Sequence, residues 1–129
     1  GTLDMISEVG LAGTGFKSTV RMADDFHNTA YWERQARTSA TSGDPFTTMT
    51  VPADRGWHTF RAYRLTPNLA GFQVDNLPAE TTTTDVPLIS LPAFLMSYGY
   101  GNQSKVDWIR IRKYCGADPA VILGTEDAY

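Results

Sequence analysis

Short runs rich in β-branched and aromatic residues recur along the chain between clusters of Gly, Pro, Asn, Asp, Ser and Thr, and this rhythm restricts the fold more than any other feature. No window of eleven or more residues repeats apolar positions at intervals of three and four, so amphipathic helices have no foothold. The runs place strands at 3–9, 16–22, 30–36, 46–51, 57–65, 71–75, 93–98 and 106–114. Segments 10–15, 38–45, 52–56 and 66–70 read as hairpin-type connections, and 24–28 as a loop or one short helical turn. Segment 77–92 differs, with four consecutive threonines between Pro78 and Pro87, and is expected to run extended along a sheet edge, where proline blocks edge-to-edge pairing. The expected fold class is all-β, an antiparallel two-sheet sandwich.

With 129 residues the chain suits one domain, 1–129, with one core. Its 42% hydrophobic and 19% charged residues are a globular composition. A formal charge of −3 offers no attraction for phosphate backbones, which argues against nucleic acid as a partner. No stretch approaches the roughly 18 apolar residues of a membrane span. Cys115 is the only cysteine, so the fold rests on packing and sheet hydrogen bonds rather than on an internal disulfide. The chain opens on Gly1-Thr2-Leu3 without methionine or a signal peptide, as expected of a processed chain or a piece of a longer polypeptide.

The most informative stretch is Trp57-His58-Thr59-Phe60-Arg61-Ala62-Tyr63-Arg64. Alternation puts His58, Phe60 and Ala62 on the core face and Thr59, Arg61 and Tyr63 on the other. After a turn at Pro67-Asn68, Phe72 and Val74 of Gly71-Phe72-Gln73-Val74-Asp75-Asn76 point inward. This pair resembles a strand pair of the concanavalin A-like lectin/glucanase superfamily, with comparable segments in laminarinase-type glucanases and laminin-G-like domains. Val106-Asp107-Trp108-Ile109-Arg110-Ile111-Arg112-Lys113-Tyr114 is similar to the strand that closes many such jelly rolls, and Asp118-Pro119, Gly124 and Glu126 resemble a tail of bacterial and archaeal surface modules. The resemblance covers about 56–126 and implies a jelly roll whose opening strands are missing or truncated, the exposed edge being covered by another chain or a neighbouring segment.

The resemblance also directs attention to carboxylates. Glucanases of this superfamily carry Glu-x-Asp-x-x-Glu or a form one residue shorter, and retaining hydrolysis needs two carboxylates about 5 Å apart. Thr2-Leu3-Asp4-Met5-Ile6-Ser7-Glu8 approximates the longer form with one residue more before its last glutamate, Asp4 and Glu8 standing for the later positions and Thr2 at the nucleophile's place. A threonine cannot replace that carboxylate, so no catalytic residue is assigned and the reading leans away from an enzyme. His27 and His58 have no Cys or Glu at metal-ligand spacing, so no metal site is assigned. Asp24-Asp25 with Asn28, or Asp75-Asn76, offer oxygens of the kind calcium takes, yet without the ligand number it requires, and turn chemistry is the simpler reading. No cofactor is expected. The glycines of 10–15 lack the lysine and following helix of a phosphate loop.

Two binding surfaces remain. Tyr31, Trp32, Tyr98 and Tyr100, with Asn102 and Gln103, offer stacking faces and amides of the kind that hold carbohydrate, wherever they are exposed rather than packed in the core. Alternation that buries Ile109 and Ile111 turns Trp108, Arg110 and Arg112 outward, and with Arg61 and Tyr63 these make either a self-contained Arg-aromatic ladder or a protein-docking face. The expected function is a non-catalytic carbohydrate-binding or adhesion module of an extracellular or surface-exposed protein, virion surfaces included. The alternative is a structural subunit of a capsid, filament or coat that binds other copies through a lectin-like sandwich, and a glycosidase comes third.

Overall fold

The computed structural model describes residues 6–24, 30–39, 46–54, 56–98 and 105–111. Eight strands occupy them: β1 (Ile6–Ala12), β2 (Thr19–Asp24), β3 (Tyr31–Arg37), β4 (Thr47–Pro52), β5 (Phe60–Thr66), β6 (Leu69–Val74), β7 (Glu80–Thr82) and β8 (Ala93–Tyr98). The only helical piece among the described residues is a 3₁₀ turn at Thr14–Phe16. The strands form two antiparallel sheets, one ordered β4-β3-β2-β1-β8 and one ordered β5-β6-β7. After the β1 to β4 meander the chain crosses to the second sheet for three strands, then returns to lay β8 beside β1.

The sheets face each other across one core. Val20 and Met22 of β2, Trp32 and Ala36 of β3, and Met49 and Val51 of β4 meet Ala70, Phe72 and Val74 of β6. Phe60 and Ala62 of β5 pack against the same cluster, as their alternation predicts. Phe72 and Met22 are fully buried, each contributing about 1.5–3 kcal/mol of transfer free energy. The pairing places β5 across β1 and β2, and β6 across β2. At the β3 and β4 edge Glu80 of β7 clamps the layers. It accepts from Arg34 Nε at 3.2 Å and from the Thr50 backbone amide at 2.8 Å. The threonine-rich segment thus supplies a short edge strand, in line with the extended edge its prolines suggest.

Two local features follow from glycine. Gly10 sits in the middle of β1 opposite Arg21 with φ 153°, and an added Cβ would lie 2.4 Å from the Val20 carbonyl oxygen. The strand therefore continues through Gly10 to Ala12, where the sequence reading ended it at Val9. Gly71 of β6 lies opposite Tyr63 of β5, and the phenol ring covers it closely enough that a Cβ would stand 2.3 Å from the ring.

The closing strand is the principal correction. Residues 105–111 are not paired into either sheet, and Val106, Trp108, Ile109 and Ile111 are exposed by 46, 64, 66 and 73%. Alternation alone cannot bury one face when no neighbouring strand receives the hydrogen bonds, so Ile109 and Ile111 stand in solvent with Trp108 and Arg110. Residues 112–114 of that expected strand lie outside the described residues.

Candidate functional site

Register brings five side chains to one end of the sandwich. Tyr31 opens β3 opposite Pro52, the last residue of β4, and the Ala53 amide donates to the Ala30 carbonyl at 2.9 Å. The chain leaving β4 thus places Asp54 at this end, 2.9 Å from His58 Nε2. It passes through Trp57 and His58 before entering β5, whose first residue, Phe60, is opposite Val74 at the end of β6, next to Asp75. Tyr31, Asp54, Trp57, His58 and Asp75 therefore share this end, and Tyr98, the last residue of β8, is at the same end opposite Ile6.

The centre of the group is an imidazole held on both sides. His58 Nδ1 lies 2.9 Å from Asp75 Oδ2, and its Nε2 lies 2.9 Å from Asp54 Oδ1. The second Asp75 oxygen accepts from the Thr59 amide at 2.8 Å, which fixes the carboxylate to the strand. Asp54 Oδ1 also accepts from the Gly56 amide at 2.6 Å, closing a tight Asx turn. Asp75 adopts φ 53° in the turn that follows β6, a left-handed conformation that Asp tolerates. Partial burial of His58 disfavours its cation, but hydrogen bonds to Asp75 and Asp54 outweigh that, and its pKa rises above the ordinary value. The His58 hydrogen bond, then the Thr59 amide, lowers Asp75; the Gly56 amide, then His58, lowers Asp54. The arrangement is an imidazole between two carboxylates that favour its cation, with the Asp54 side chain 65% exposed. Beside it Trp57 is 71% exposed, an indole face open to water.

A second charged cluster occupies the opposite face of the larger sheet. Because Val20 and Met22 point into the core, Thr19, Arg21 and Ala23 point away from it, in register with Glu8 and Gly10 of β1 and Glu33 and Gln35 of β3. Arg21 forms an ion pair with Glu8, and its Nε and Nη2 donate to Gln35 Oε1 at 3.1 and 3.0 Å. The Phe46 ring centre lies 4.7 Å from the guanidinium. Glu8, Thr19, Arg21, Glu33 and Gln35 are all buried. Desolvation pulls the Arg21 pKa down while the Glu8 charge opposes it. This sequestered pair is structural. Glu8, the carboxylate compared with the glucanase pattern, is committed to Arg21, and Thr2 and Asp4 lie outside the described residues.

No protein-family model matches the chain, and neither a curated protein nor a solved structure does. The reading of this site therefore rests on its own geometry. Tyr31 of the expected sugar-contacting set is 43% exposed at the end of the sandwich. Trp32 is corrected: it is 4% exposed, its ring packed edge-on against Phe60 at 4.5 Å and 6.3 Å from His58, so it belongs to the core. Tyr100, Asn102, Gln103 and Arg112 lie outside the described residues, as do Asp25, His27, Asn28 and Cys115. On the outer face of β5, Arg61 donates to Gln73 at 3.0 Å and Tyr63 covers Gly71, so both serve cross-strand contacts. No pairing joins them to Trp108 and Arg110 among the described residues. Both Asp75 oxygens are occupied by Thr59 and His58, which commits that calcium candidate to the fold. Among the described residues no group of three or more His, Cys, Asp or Glu side chains is arranged to hold a metal ion, and no helix is long and apolar enough to cross a membrane.

Sequence reasoning missed Asp54 and Trp57 as site residues. The signal was available in Asp54-Arg55-Gly56-Trp57, an Asx-turn sequence ending on a tryptophan immediately before the strand.

Proposed function

We propose that this sandwich is a non-catalytic carbohydrate-binding or adhesion module of an extracellular or surface protein, and that it binds glycans at the end that carries Tyr31, Asp54, Trp57 and His58. The observation that carries the reading is the open indole of Trp57, three residues from a carboxylate and next to an imidazole held in place by two aspartates. Sugar rings present apolar C–H faces that stack on aromatic surfaces, while their hydroxyls need a few fixed polar groups. Asp54 Oδ1 is taken by Gly56 and His58, which leaves Oδ2 to accept from a hydroxyl. Because the turn and His58 hold the carboxylate, little freedom is lost on binding. A jelly-roll topology of the concanavalin A-like kind accords with this role, supported by the Trp57-His58-Thr59 and Phe72-Gln73-Val74-Asp75 segments.

A glycan array followed by calorimetric titration of its best ligand tests the reading. Trp57→Ala is expected to weaken binding about tenfold or more, equivalent to about 1.4 kcal/mol, and Asp54→Asn to weaken it less. Binding that Trp57→Ala leaves intact, or an array with no ligand, would remove the proposal.

A further inference from the structure

We infer that His58 is the positioning residue of the proposed sugar site, an assignment that rests on that reading of the site. The proton that makes its ring a cation holds Asp54 and Trp57 ready for a glycan, so binding is switched by pH.

Each ring nitrogen of His58 lies 2.9 Å from a carboxylate oxygen, Nδ1 from Asp75 and Nε2 from Asp54. Ionised carboxylates only accept, a neutral imidazole has one N–H, and its cation has two. Both contacts are therefore hydrogen bonds only when the ring is protonated. In the neutral ring one carboxylate faces a nitrogen lone pair, and that contact opens.

The two carboxylates are not held alike. Asp75 Oδ1 accepts from the Thr59 amide at 2.8 Å, and the Asp75 amide donates to the Thr59 carbonyl at 2.7 Å. Asp75 is thus tied between the start of β5 and the end of β6 whatever the state of His58. Asp54 Oδ1 has its other bond to Gly56, inside its own turn, and the side chain is 65% exposed. The contact that opens is the one to Asp54. That contact also fastens the turn: a Cβ at Gly56 would lie 2.8 Å from Asp54 Oδ1 and 3.6 Å from His58 Nε2, so the turn closes directly over the pair. Trp57 follows the turn and is 71% exposed, with little packing of its own to hold it. Releasing Asp54 returns freedom that a bound glycan has to remove again.

The charges acting on His58 are those of Asp75 and Asp54. β3 and β5 set the uncharged rings of Trp32 and Phe60 against it, and Asp24, opposite Trp32, and Tyr31 are the further titratable groups that β2 and β3 bring to this end. Glycan affinity is therefore high below the folded-state pKa of His58, which lies above the ordinary 6.5, and falls as pH rises through it.

The printed glycan array, developed in steps from about pH 5.5 to 8.5 and read on its neutral glycans, tests this. Wild-type signal is expected to drop about three- to tenfold, with its midpoint where the His58 ring titrates by NMR. His58→Gln is expected to bind weakly at every pH. Gly56→Ala alters no titratable group but displaces the Asp54 carboxylate, and should flatten the profile in the same way even where His58→Gln fails to fold. Wild-type binding that stays level, or a drop whose midpoint is not that of His58, overturns the inference and leaves the sugar site standing. A drop that survives unchanged in Gly56→Ala overturns it equally. An array empty at every pH removes the sugar reading itself, and the inference with it.

Discussion

The two ionic clusters use similar groups to opposite ends. Around Arg21 the charges are shut away from solvent on a sheet face beside buried Thr19, Glu33 and Gln35, and both partners of the ion pair are paired within the protein. Around His58 the same kind of pairing is open on one side, with Asp54 in water and Trp57 beside it. Burial makes the first cluster a structural obligation, since either charge alone would be stranded in a poorly solvated place. Exposure makes the second one cheap to alter and available to a ligand.

Substitutions can break or sharpen that contrast. Glu8→Ala strands the Arg21 guanidinium and is expected to cost about 3–5 kcal/mol by urea unfolding, whereas Glu8→Met/Arg21→Met should recover much of the loss. Recovery would identify the damage as an unpaired charge rather than a cavity. Beneath the same cluster, Gly10→Ala drives a Cβ into the β2 backbone at a φ that L-residues avoid, for an expected loss of about 1–3 kcal/mol. A variant as stable as wild type would show that β1 and β2 can part there at no cost.

The smallest effect belongs to the exposed cluster and depends on pH. A raised histidine pKa in the folded state contributes stability that is fully present below the ordinary value of 6.5 and is lost as pH rises through the folded value. The lowered Asp54 and Asp75 contribute stability present above the ordinary carboxylate value of 3.8 and lost as pH falls through their depressed values. The cluster is therefore tightest between those limits. Thermal unfolding across that interval should show wild type losing less than about 1 kcal/mol as pH climbs above the histidine range, and His58→Gln losing none of it. An unchanged slope in His58→Gln would assign the dependence to other groups.

Much of the sandwich was legible because half-buried strands alternate. Residues 93–98 were placed with the bounds of β8, and the inward set of β5 and β6 followed from period two. The Arg21 cluster escaped because β2 is buried on both faces, and an arginine between Val20 and Met22 reads like any surface-facing strand residue. Gly10 was the available hint, since a glycine inside a strand often marks close backbone approach. Residues 106–111 failed for the converse reason: alternation reports which face would be buried, and says nothing of whether a neighbouring strand is there to bury it. Of the expected sugar residues, Tyr31 reached the candidate site and Trp32 did not, because adjacent strand positions face opposite ways.

The Tyr63 ring lying over Gly71 constrains how this sequence can drift. Any side chain arriving at position 71 meets the ring at once, while a smaller residue at 63 removes that obstruction. The two positions are thus free to change in one order only, 63 before 71. Descendants of this chain that have lost the glycine should have lost the tyrosine first.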